Sequence, residues 1–312
     1  MRDQHVVVLG GAGFLGSHLC DRVLADGASR VTAIDDLSTG RERNLEAARS
    51  DPRFAFIKAD ITRGIPFTGP VHVVFNLASP ASPKDYEQRW LETLRAGSIG
   101  TEHGLELAHA REAVFVQAST SEIYGDPNEH PQRESYTGNV DPTSPRSVYD
   151  EAKRYAEALV SAYGRKKKVS TRIARIFNTY GPRMRLDDGR VVPQFIAQAL
   201  RGDDFTVQGD GSQTRSFCFV TDLIDGLVRL ARSDVRDPVN LGNPSEVTVL
   251  ELAEAVRRAA GGGGQIRHAE LPIGDPKRRR PDISRAQSLL EWAPRVSLSD
   301  GLATTLEYFR SA

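Results

Sequence analysis

The sequence predicts an α/β protein with a doubly wound parallel sheet, a Rossmann fold, and a smaller C-terminal substrate-binding lobe. Two observations predict this fold. Short apolar runs alternate with longer stretches of helical periodicity through the first half of the chain, and a glycine-rich turn follows the first run. The runs are apolar throughout, which is typical of parallel strands buried on both faces of a sheet.

The predicted elements follow from these runs and from the turn signals between them. The strands are predicted at Val6–Leu9, Val31–Ile34, Phe54–Ile57, Val71–Leu77, Val114–Ala118 and Ser170–Ile176. The helices are predicted near Gly13–Ala25, Glu87–Ala110 and Tyr149–Tyr163. After Asn178, glycine and proline turn signals separate shorter elements. We therefore expect a cofactor-binding domain at residues 1–177 and mainly a substrate-binding lobe at 178–312, with some segments returning to the first domain.

The charge balance argues against two classes of partner. The 41 Lys and Arg residues equal the 41 Asp and Glu residues in number, so neither nucleic acid nor an anionic membrane is the expected partner. No apolar run reaches the roughly 18 residues of a membrane-spanning helix. Cys20 and Cys218 lack the spacing of metal ligands, and no other metal-ligand cluster is seen in the sequence. These features predict a protein of a reducing compartment, and the cytoplasm is the expected location.

A glycine-rich turn stands between the first strand and the first helix, in the segment Gly10-Gly-Ala-Gly13-Phe-Leu-Gly16. Gly10 permits a tight turn, Gly13 lets the backbone approach a pyrophosphate, and Gly16 lets the helix pack closely on the strand. The helix N-terminus then favours the phosphate charge. Asp35 ends the second strand, where a carboxylate accepts hydrogen bonds from ribose hydroxyls and repels a 2′-phosphate. The pattern predicts a site for NAD rather than NADP, with Asp60-Ile61 beside the adenine.

A Tyr-x-x-x-Lys pair lies on the third predicted helix, at Tyr149 and Lys153. This spacing puts both side chains on one helix face. A nearby ammonium group lowers the pKa of a phenol, so Tyr149 is expected to take a proton from a sugar hydroxyl while hydride leaves for NAD. Thr120, just past the fifth predicted strand, supplies a hydroxyl that orients the substrate.

These motifs together resemble the extended short-chain dehydrogenase/reductase family. Longer segments resemble one branch of it, the UDP-glucuronate decarboxylases. Those segments are Leu77–Pro83, Ala118–Pro127, Arg146–Arg154, Ala174–Met184, Asp188–Val192 and Gly211–Arg215. The resemblance runs over nearly the whole chain, and the segment Ala118–Pro127 is quite specific.

The resemblance implies a role for each matching position. The implied catalytic residues are Thr120, Glu122, Tyr149, Lys153 and Arg279. The implied cofactor-binding residues are Gly10, Gly13, Phe14, Leu15, Gly16, Asp35, Asp60, Ile61, Leu77, Ala78, Tyr149 and Lys153. The implied substrate-binding residues are Ser79, Tyr86, Ser121, Asn178, Val192, Gln208, Arg215 and Arg279. Glu122 matches an acidic residue beside the sugar carboxylate, and Arg279 matches an arginine near the diphosphate and the reacting sugar.

Three positions depart from the family pattern. Gly97 stands where relatives usually have an asparagine near the nicotinamide ribose. That difference predicts looser NAD binding, and a gain in binding for Gly97→Asn. Gln208 stands where many relatives have a tyrosine near the uracil, and Trp90 falls in a stretch where Asn-Pro is common.

The resemblance implies NAD-dependent decarboxylation of UDP-glucuronate to UDP-xylose through a 4-keto intermediate, by a homodimer and without a metal. A nucleotide-sugar 4,6-dehydratase is disfavoured because those enzymes carry Asp-Glu where this chain has Ser121-Glu122, and a serine is a poor acid. A UDP-glucuronate 4-epimerase is disfavoured by the decarboxylase-like segments. A dinucleotide-sensing module without catalysis would typically lack Tyr149 or Lys153. Release of the 4-keto pentose with NADH stays open, as does the base of the nucleotide.

Overall fold

The computed structural model of the chain describes residues 1–144, 147–270 and 278–311. The strands are β1 (His5–Leu9), β2 (Arg30–Asp35), β3 (Phe54–Lys58), β4 (Val73–Asn76), β5 (Val114–Thr120), β6 (Ser170–Ile176), β7 (Thr179–Tyr180), β8 (Phe205–Gln208), β9 (Thr214–Ser216), β10 (Cys218–Phe219), β11 (Val239–Leu241), β12 (Glu246–Thr248), β13 (Ile266–Ala269) and β14 (Arg278–Arg279). The helices are α1 (Phe14–Ala25), α2 (Glu46–Arg49), α3 (Pro83–Gln88), α4 (Trp90–Arg95), α5 (Thr101–Ala110), α6 (Ser147–Lys166), α7 (Val191–Arg201), α8 (Val220–Arg232), α9 (Val249–Ala260), α10 (Ser284–Leu290) and α11 (Leu298–Ser311).

The central sheet has seven parallel strands in the order β3-β2-β1-β4-β5-β6-β11. The predicted doubly wound sheet is confirmed. The strand order reverses between β1 and β4, and in such sheets a ligand crevice forms at the carboxyl ends of the strands beside the reversal. β11 comes from the second half of the chain, so the proposed division at residue 177 stays a prediction.

The two faces of the sheet pack against different helices, which explains why β1 is apolar at every position. Val6 and Val8 belong to the core shared with α1 and α8, whereas Val7 and Leu9 belong to the core shared with α5 and α6. Successive side chains of a strand point to opposite faces, so a strand covered on both faces has no polar side.

The second long helical stretch differs from its prediction as one helix over Glu87–Ala110. The chain forms the short helix α3, breaks at Arg89 (φ −132°, ψ 50°), and restarts as α4. From α4 it continues through a π-helical turn at Ala96–Gly100 into α5. The break was not predicted because no glycine or proline marks it.

The second half of the chain supplies a smaller lobe over the carboxyl ends of the sheet. Its strands form the small sheet β12-β9-β14 and the pairs β8–β13 and β7–β10, and α7 packs against β8 and α9. Among the described residues, no helix is both long and apolar enough to cross a membrane.

Candidate active site

A cleft runs along the carboxyl ends of the central strands, between the sheet and the smaller lobe. The predicted site residues that line it are Gly10, Gly13, Phe14, Leu15, Gly16, Leu77, Ser79, Tyr86, Thr120, Ser121, Glu122, Tyr149, Lys153, Asn178, Val192, Gln208, Arg215 and Arg279. The cleft therefore brings together residues from both halves of the chain.

The glycine turn builds the wall of the cleft after β1. Gly10 has φ +78°, and a Cβ there would lie 2.7 Å from the backbone nitrogen of Ala78. A Cβ on Gly16 would collide with the Gly10 carbonyl oxygen. Both positions therefore need glycine for the close approach of the turn to β4 and of α1 to the turn. Ala78 contributes backbone behind this wall and is not among the residues lining the cleft.

The N-terminus of α1 opens onto the cleft without a side-chain cap. Its cap residue is Gly13, and its first turn carries no acidic residue. The first backbone N–H groups of a helix have no partner within the helix, and the dipole favours negative charge there. This arrangement fits the pyrophosphate of a dinucleotide.

Asp35 lies behind the cleft wall. Its buried carboxylate accepts hydrogen bonds from the backbone nitrogens of Ala12, at 3.0 Å, and Leu37, at 2.8 Å. Burial raises the pKa of this carboxyl group. In the structure Asp35 joins the glycine turn to the loop after β2, while Thr39, Arg41 and other residues of that loop line the cleft itself. The predicted contact of Asp35 with a ribose stays a prediction.

Asp60 and Ile61 also lie outside the cleft lining. The Asp60 carboxylate accepts a hydrogen bond from the backbone nitrogen of Thr62 at 2.8 Å and so caps a short helical turn. Ile61 is buried against the core beneath Gly100. Their predicted place beside an adenine stays a prediction.

The column of α6 that faces the cleft carries Tyr149 and Lys153. The Tyr149 hydroxyl is hydrogen-bonded to Thr120, the last residue of β5. The Lys153 ammonium donates to the carbonyl oxygen of Ala118 at 3.0 Å and lies 5.7 Å from the centre of the Tyr149 ring. Both side chains are buried. The structure thus assembles the three predicted groups around one point at the end of β5.

The ionisation of this group differs from the prediction. Burial raises the pKa of Tyr149, although its hydrogen bond to Thr120 acts in the opposite direction. Burial lowers the pKa of Lys153 to about 8. The expectation that Lys153 brings the phenol toward neutral pKa is therefore wrong for the ligand-free protein. The ammonium donates to a carbonyl rather than to the phenol oxygen, so desolvation dominates.

Tyr86 forms part of the wall opposite Thr120. It is buried on α3, and its ring stacks on that of Tyr149 with centroids 5.1 Å apart and planes 13° from parallel. The serine cap of α3, Ser82, accepts from the Asp85 backbone nitrogen at 3.3 Å and helps to fix this helix.

An ion pair between Glu122 and Arg279 lies beside the Thr120–Tyr149 pair. Glu122 belongs to the helical turn that follows β5, and its backbone nitrogen donates to the Thr120 hydroxyl at 3.2 Å. Arg279 is 6% exposed. A buried arginine that is paired with a carboxylate can exchange that partner for an anionic group of a ligand.

Arg279 reaches the cleft because its segment is held on both sides. β14 pairs with β9, which places Arg279 opposite Arg215. The next residue, Arg280, exchanges backbone and side-chain hydrogen bonds with the fully buried Gln132. Arg279 is therefore a buried residue of the cleft and not part of a solvated surface loop. Lys277, which begins the run, lies outside the described residues.

The remaining predicted substrate residues line the part of the cleft under the smaller lobe. Asn178 follows β6, Val192 lies in the first turn of α7, and Arg215 lies on β9. Gln208 ends β8 with an exposed side chain, and its carbonyl oxygen accepts from the Gln213 amide at 2.8 Å. No aromatic ring occupies position 208 at this wall.

The sequence prediction missed a group of charges at the mouth of the cleft. Arg185 pairs with Asp85 at 2.8 Å, and Asp187 lies 3.8 Å from Arg41 and 3.6 Å from Lys84. These residues come from α3, from the loop after β2 and from the segment between β7 and α7. The only sequence signal was the density of arginines between two turn glycines at positions 181 and 189.

The surroundings of Gly97 leave no room for the asparagine side chain that was expected to improve NAD binding. It lies in the π-helical turn packed against α6, and a Cβ there would lie 2.6 Å from the Ala152 carbonyl oxygen. An asparagine would push this turn away from α6. The expectation that Gly97→Asn simply gains a cofactor contact is therefore wrong for this backbone.

Comparison with known proteins agrees with the chemistry of the cleft. The model of the NAD dependent epimerase/dehydratase family matches residues 6–242. UDP-glucuronic acid decarboxylase 1 of Xenopus tropicalis is 47% identical over 98% of this chain and 72% of its own length. UDP-glucuronic acid decarboxylase 1 of Arabidopsis thaliana is 49% identical over 98% of this chain and 70% of its own length.

Solved structures with the same fold include epimerases. UDP-glucuronic acid 4-epimerase from Bacillus cereus, solved with UDP-glucuronic acid and NAD, has a TM-score of 0.86 at 29% identity, covering 98% of this chain and 99% of that one. UDP-glucose 4-epimerase from Thermotoga maritima, solved with UDP-glucose, has a TM-score of 0.88 at 26% identity, covering 98% and 99%. The named decarboxylases are thus considerably more similar in sequence than these epimerases.

Proposed function

The chain belongs to the NAD dependent epimerase/dehydratase family, and on that premise we propose that it converts UDP-glucuronate to UDP-xylose and carbon dioxide. The observation that carries the proposal is the buried Arg279, paired with Glu122 beside the Tyr149 hydroxyl group. A cation at that place suits a sugar that carries a carboxylate next to its reacting carbon.

NAD would be held by the wall around α1. Gly10, Gly13 and the first turn of α1 would receive its pyrophosphate, and Lys153 lines the same cleft. When bound, NAD supplies a positively charged nicotinamide ring that accepts hydride from C4 of the sugar and later returns it. The protein supplies the proton transfers and the charges around that exchange.

Tyr149 and Thr120 act on the C4 hydroxyl group. Thr120 orients the hydroxyl, and Tyr149 takes its proton as the C4–H bond breaks. Lys153 favours the phenolate form by its positive charge. Since burial raises the pKa of Tyr149 in the ligand-free protein, the phenolate has to be stabilised further when the cleft is filled.

Decarboxylation follows from the ketone. The carboxylate on C5 is then β to the C4 carbonyl, so the C5–C6 bond breaks with its electron pair moving into an enolate. The protonated Tyr149 donates a hydrogen bond to the enolate oxygen. Glu122 places a second negative charge near the substrate carboxylate, which favours its departure as neutral carbon dioxide. C5 then takes a proton from a group that exchanges with water.

The proposal is tested by incubating the purified protein with UDP-glucuronate and identifying the products by mass spectrometry. We expect a UDP-pentose, one carbon dioxide per sugar, and no accumulation of NADH. A new UDP-hexuronate of unchanged mass, separated from the substrate by chromatography, would instead support a 4-epimerase. Stoichiometric NADH with a 4-keto pentose would mean that the last reduction does not occur.

We also propose that the protein is a homodimer through the face of α4 and α6. This face exposes Trp90 (48%), Leu91 (62%), Ile99 (43%) and Tyr155 (53%), and exposed apolar clusters of this kind mark interfaces. α4 packs against α6, so a second copy of the chain would bury both helices. Sedimentation should give a dimer for the wild type and a monomer for Leu91→Asp/Tyr155→Asp; a monomeric wild type would contradict the proposal.

A further inference from the structure

The face of α6 that carries Tyr149 and Lys153 carries a third functional group one turn further on, Glu157. The three residues are four positions apart, so they form one column on the helix. All three side chains form hydrogen bonds with the end of β5. Tyr149 is hydrogen-bonded to Thr120, and Lys153 donates to the Ala118 carbonyl oxygen. Glu157 accepts a hydrogen bond from the hydroxyl of Ser119, which lies between those two residues in the strand.

Glu157 is held by two neighbours of different strands. Its carboxylate accepts a hydrogen bond from the Ser119 hydroxyl at 2.5 Å. It also accepts both parallel bonds of the Arg175 guanidinium, from Nε at 3.0 Å and Nη2 at 2.8 Å. Ser119 lies on β5 and Arg175 on β6. A bidentate pair of this kind fixes both distance and orientation, so α6 is tied to two strands at once.

Arg175 extends the connection to the turn that bears Glu122. Its Nη1 donates to the Tyr124 hydroxyl at 3.1 Å and to the Glu134 carbonyl oxygen at 2.8 Å. Tyr124 is in the same helical turn as Glu122 and is 1% exposed. The Glu157–Arg175 pair is therefore connected both to the helix that carries Tyr149 and Lys153 and to the turn that carries Glu122.

The burial of the Glu157–Arg175 ion pair favours a role in orienting neighbouring side chains over a role in stability. The side chains of Glu157 and Arg175 are 12% and 10% exposed. A buried ion pair is weak evidence for stability, since apolar residues of similar size usually stabilise a core as well or better. What apolar residues cannot supply is a set of directional bonds to Ser119 and Tyr124.

We propose that Glu157 is a positioning residue for Tyr149 and Lys153, acting through Ser119 and Arg175. The proposal rests on the function proposed above for Tyr149 and Lys153. Loss of Glu157 lets α6 shift relative to β5, so the Lys153 ammonium and the Tyr149 hydroxyl leave their alignment. Because Glu157 does not line the cleft, ligand binding should change far less than turnover.

The test separates positioning from stability. The double variant Glu157→Met/Arg175→Leu removes the charges together and so leaves no unpaired buried ion. We expect it to melt within a few degrees of the wild type, to keep KM for UDP-glucuronate and Kd for NAD within about threefold, and to lose about tenfold to a hundredfold in kcat. A double variant whose kcat lies within about threefold of that of the wild type would overturn the proposal.

Two further variants complete the test. Glu151→Gln changes a half-exposed carboxylate on the same helix, paired with Arg154 at 3.5 Å, and should leave kcat within about twofold. Ser119→Ala removes only the bond to Glu157 and should fold even if the double variant does not; its kcat should fall about threefold or more, and an unchanged kcat there would equally overturn the proposal. A wild type that does not decarboxylate UDP-glucuronate would instead refute the proposed function, before Glu157 is changed.

Discussion

The two walls of the cleft are built in different ways. The wall around α1 is made mainly of backbone, from one short stretch in which Gly10 and Gly16 allow close packing. The wall under the smaller lobe is made of side chains from distant parts of the chain, and Arg279 meets Glu122 across a separation of 157 residues. The first wall depends on local conformation, whereas the second depends on the tertiary fold.

The two walls therefore differ in which amino-acid substitutions they tolerate. Backbone N–H groups at a helix N-terminus bind the phosphates that any dinucleotide carries. Under the proposed function, side chains such as Arg279 and Gln208 would decide which sugar and base are accepted, and they can change without altering the fold. Tyr149 lies between the two walls, on α6, where the two proposed ligands would meet.

The largest effect is expected at that meeting point. Tyr149→Phe keeps the packing on Tyr86 and removes the proton acceptor, so kcat should fall by about 10²–10⁴ while UDP binding stays nearly intact. The matched control is Tyr308→Phe, which removes a hydroxyl from α11, outside the cleft lining. Steady-state kinetics with UDP titration check both, and a Tyr149→Phe enzyme within about tenfold of wild type would remove Tyr149 from the mechanism.

The side-chain wall is tested at Arg279. Arg279→Ala removes the buried cation with which an anionic group of UDP-glucuronate would pair, so we expect a loss of about 2–5 kcal/mol in binding of UDP-glucuronate. Arg279→Lys should recover only part of it, because lysine lacks the planar fork. Arg133→Ala is the control, since this arginine is 68% exposed and lies 3.4 Å from Asp282. Equal binding by Arg279→Ala and wild type in calorimetry would return this arginine to a structural role.

The backbone wall is tested at Gly10. Gly10→Ala adds a Cβ where φ is +78° and the Ala78 backbone is 2.7 Å away, whereas Gly202→Ala meets a φ of +73° with nothing within 4 Å. Comparing the two isolates the collision from the strain of positive φ. We expect Gly10→Ala to lose about 1–3 kcal/mol more stability than Gly202→Ala, and to lose NAD affinity as well. Equal losses in urea unfolding would mean that the close approach is unimportant.

The smallest predicted effect is a pH dependence. The pKa of Lys153 is lowered to about 8 by burial, and its ammonium form is the one that favours the Tyr149 phenolate. Hence kcat/KM should fall as pH rises through about 8, because the charge is lost above that value. In Lys153→Arg the guanidinium stays protonated, so this decline should vanish even though the maximum rate drops. A decline that persists in the arginine variant would have to arise from another group.

The backbone wall was predictable from sequence because its signal is local. The spacing of Gly10, Gly13 and Gly16 after an apolar strand determines a turn and a helix start, and Tyr149 and Lys153 share a face by helical period alone. Asp35 shows the limit of such reasoning. Its position was predicted, but its carboxylate is engaged by the Ala12 and Leu37 backbone.

The side-chain wall was not predictable from spacing. Arg279 was identified only through resemblance to a family, and its pairing with Glu122 depends on the register of β14 with β9. The charges around Asp187 were missed because they come from α3 and from two loops, and no local pattern encodes how these three segments approach one another. The role of Gly97 was mistaken for the same reason, since the neighbour that excludes a side chain is Ala152, on another helix.

A reaction of UDP-glucuronate in heavy water, followed by NMR of the product, distinguishes decarboxylation from the alternative reactions. If the sugar is oxidised at C4, decarboxylated and reduced again, hydride leaves and returns to C4 without exchange, and C5 takes its proton from an exchangeable group. The product should then be a UDP-pentose with one deuterium at C5 and none at C4. A six-carbon uronate or a 6-deoxy-4-keto sugar as the sole product would contradict the proposed decarboxylation.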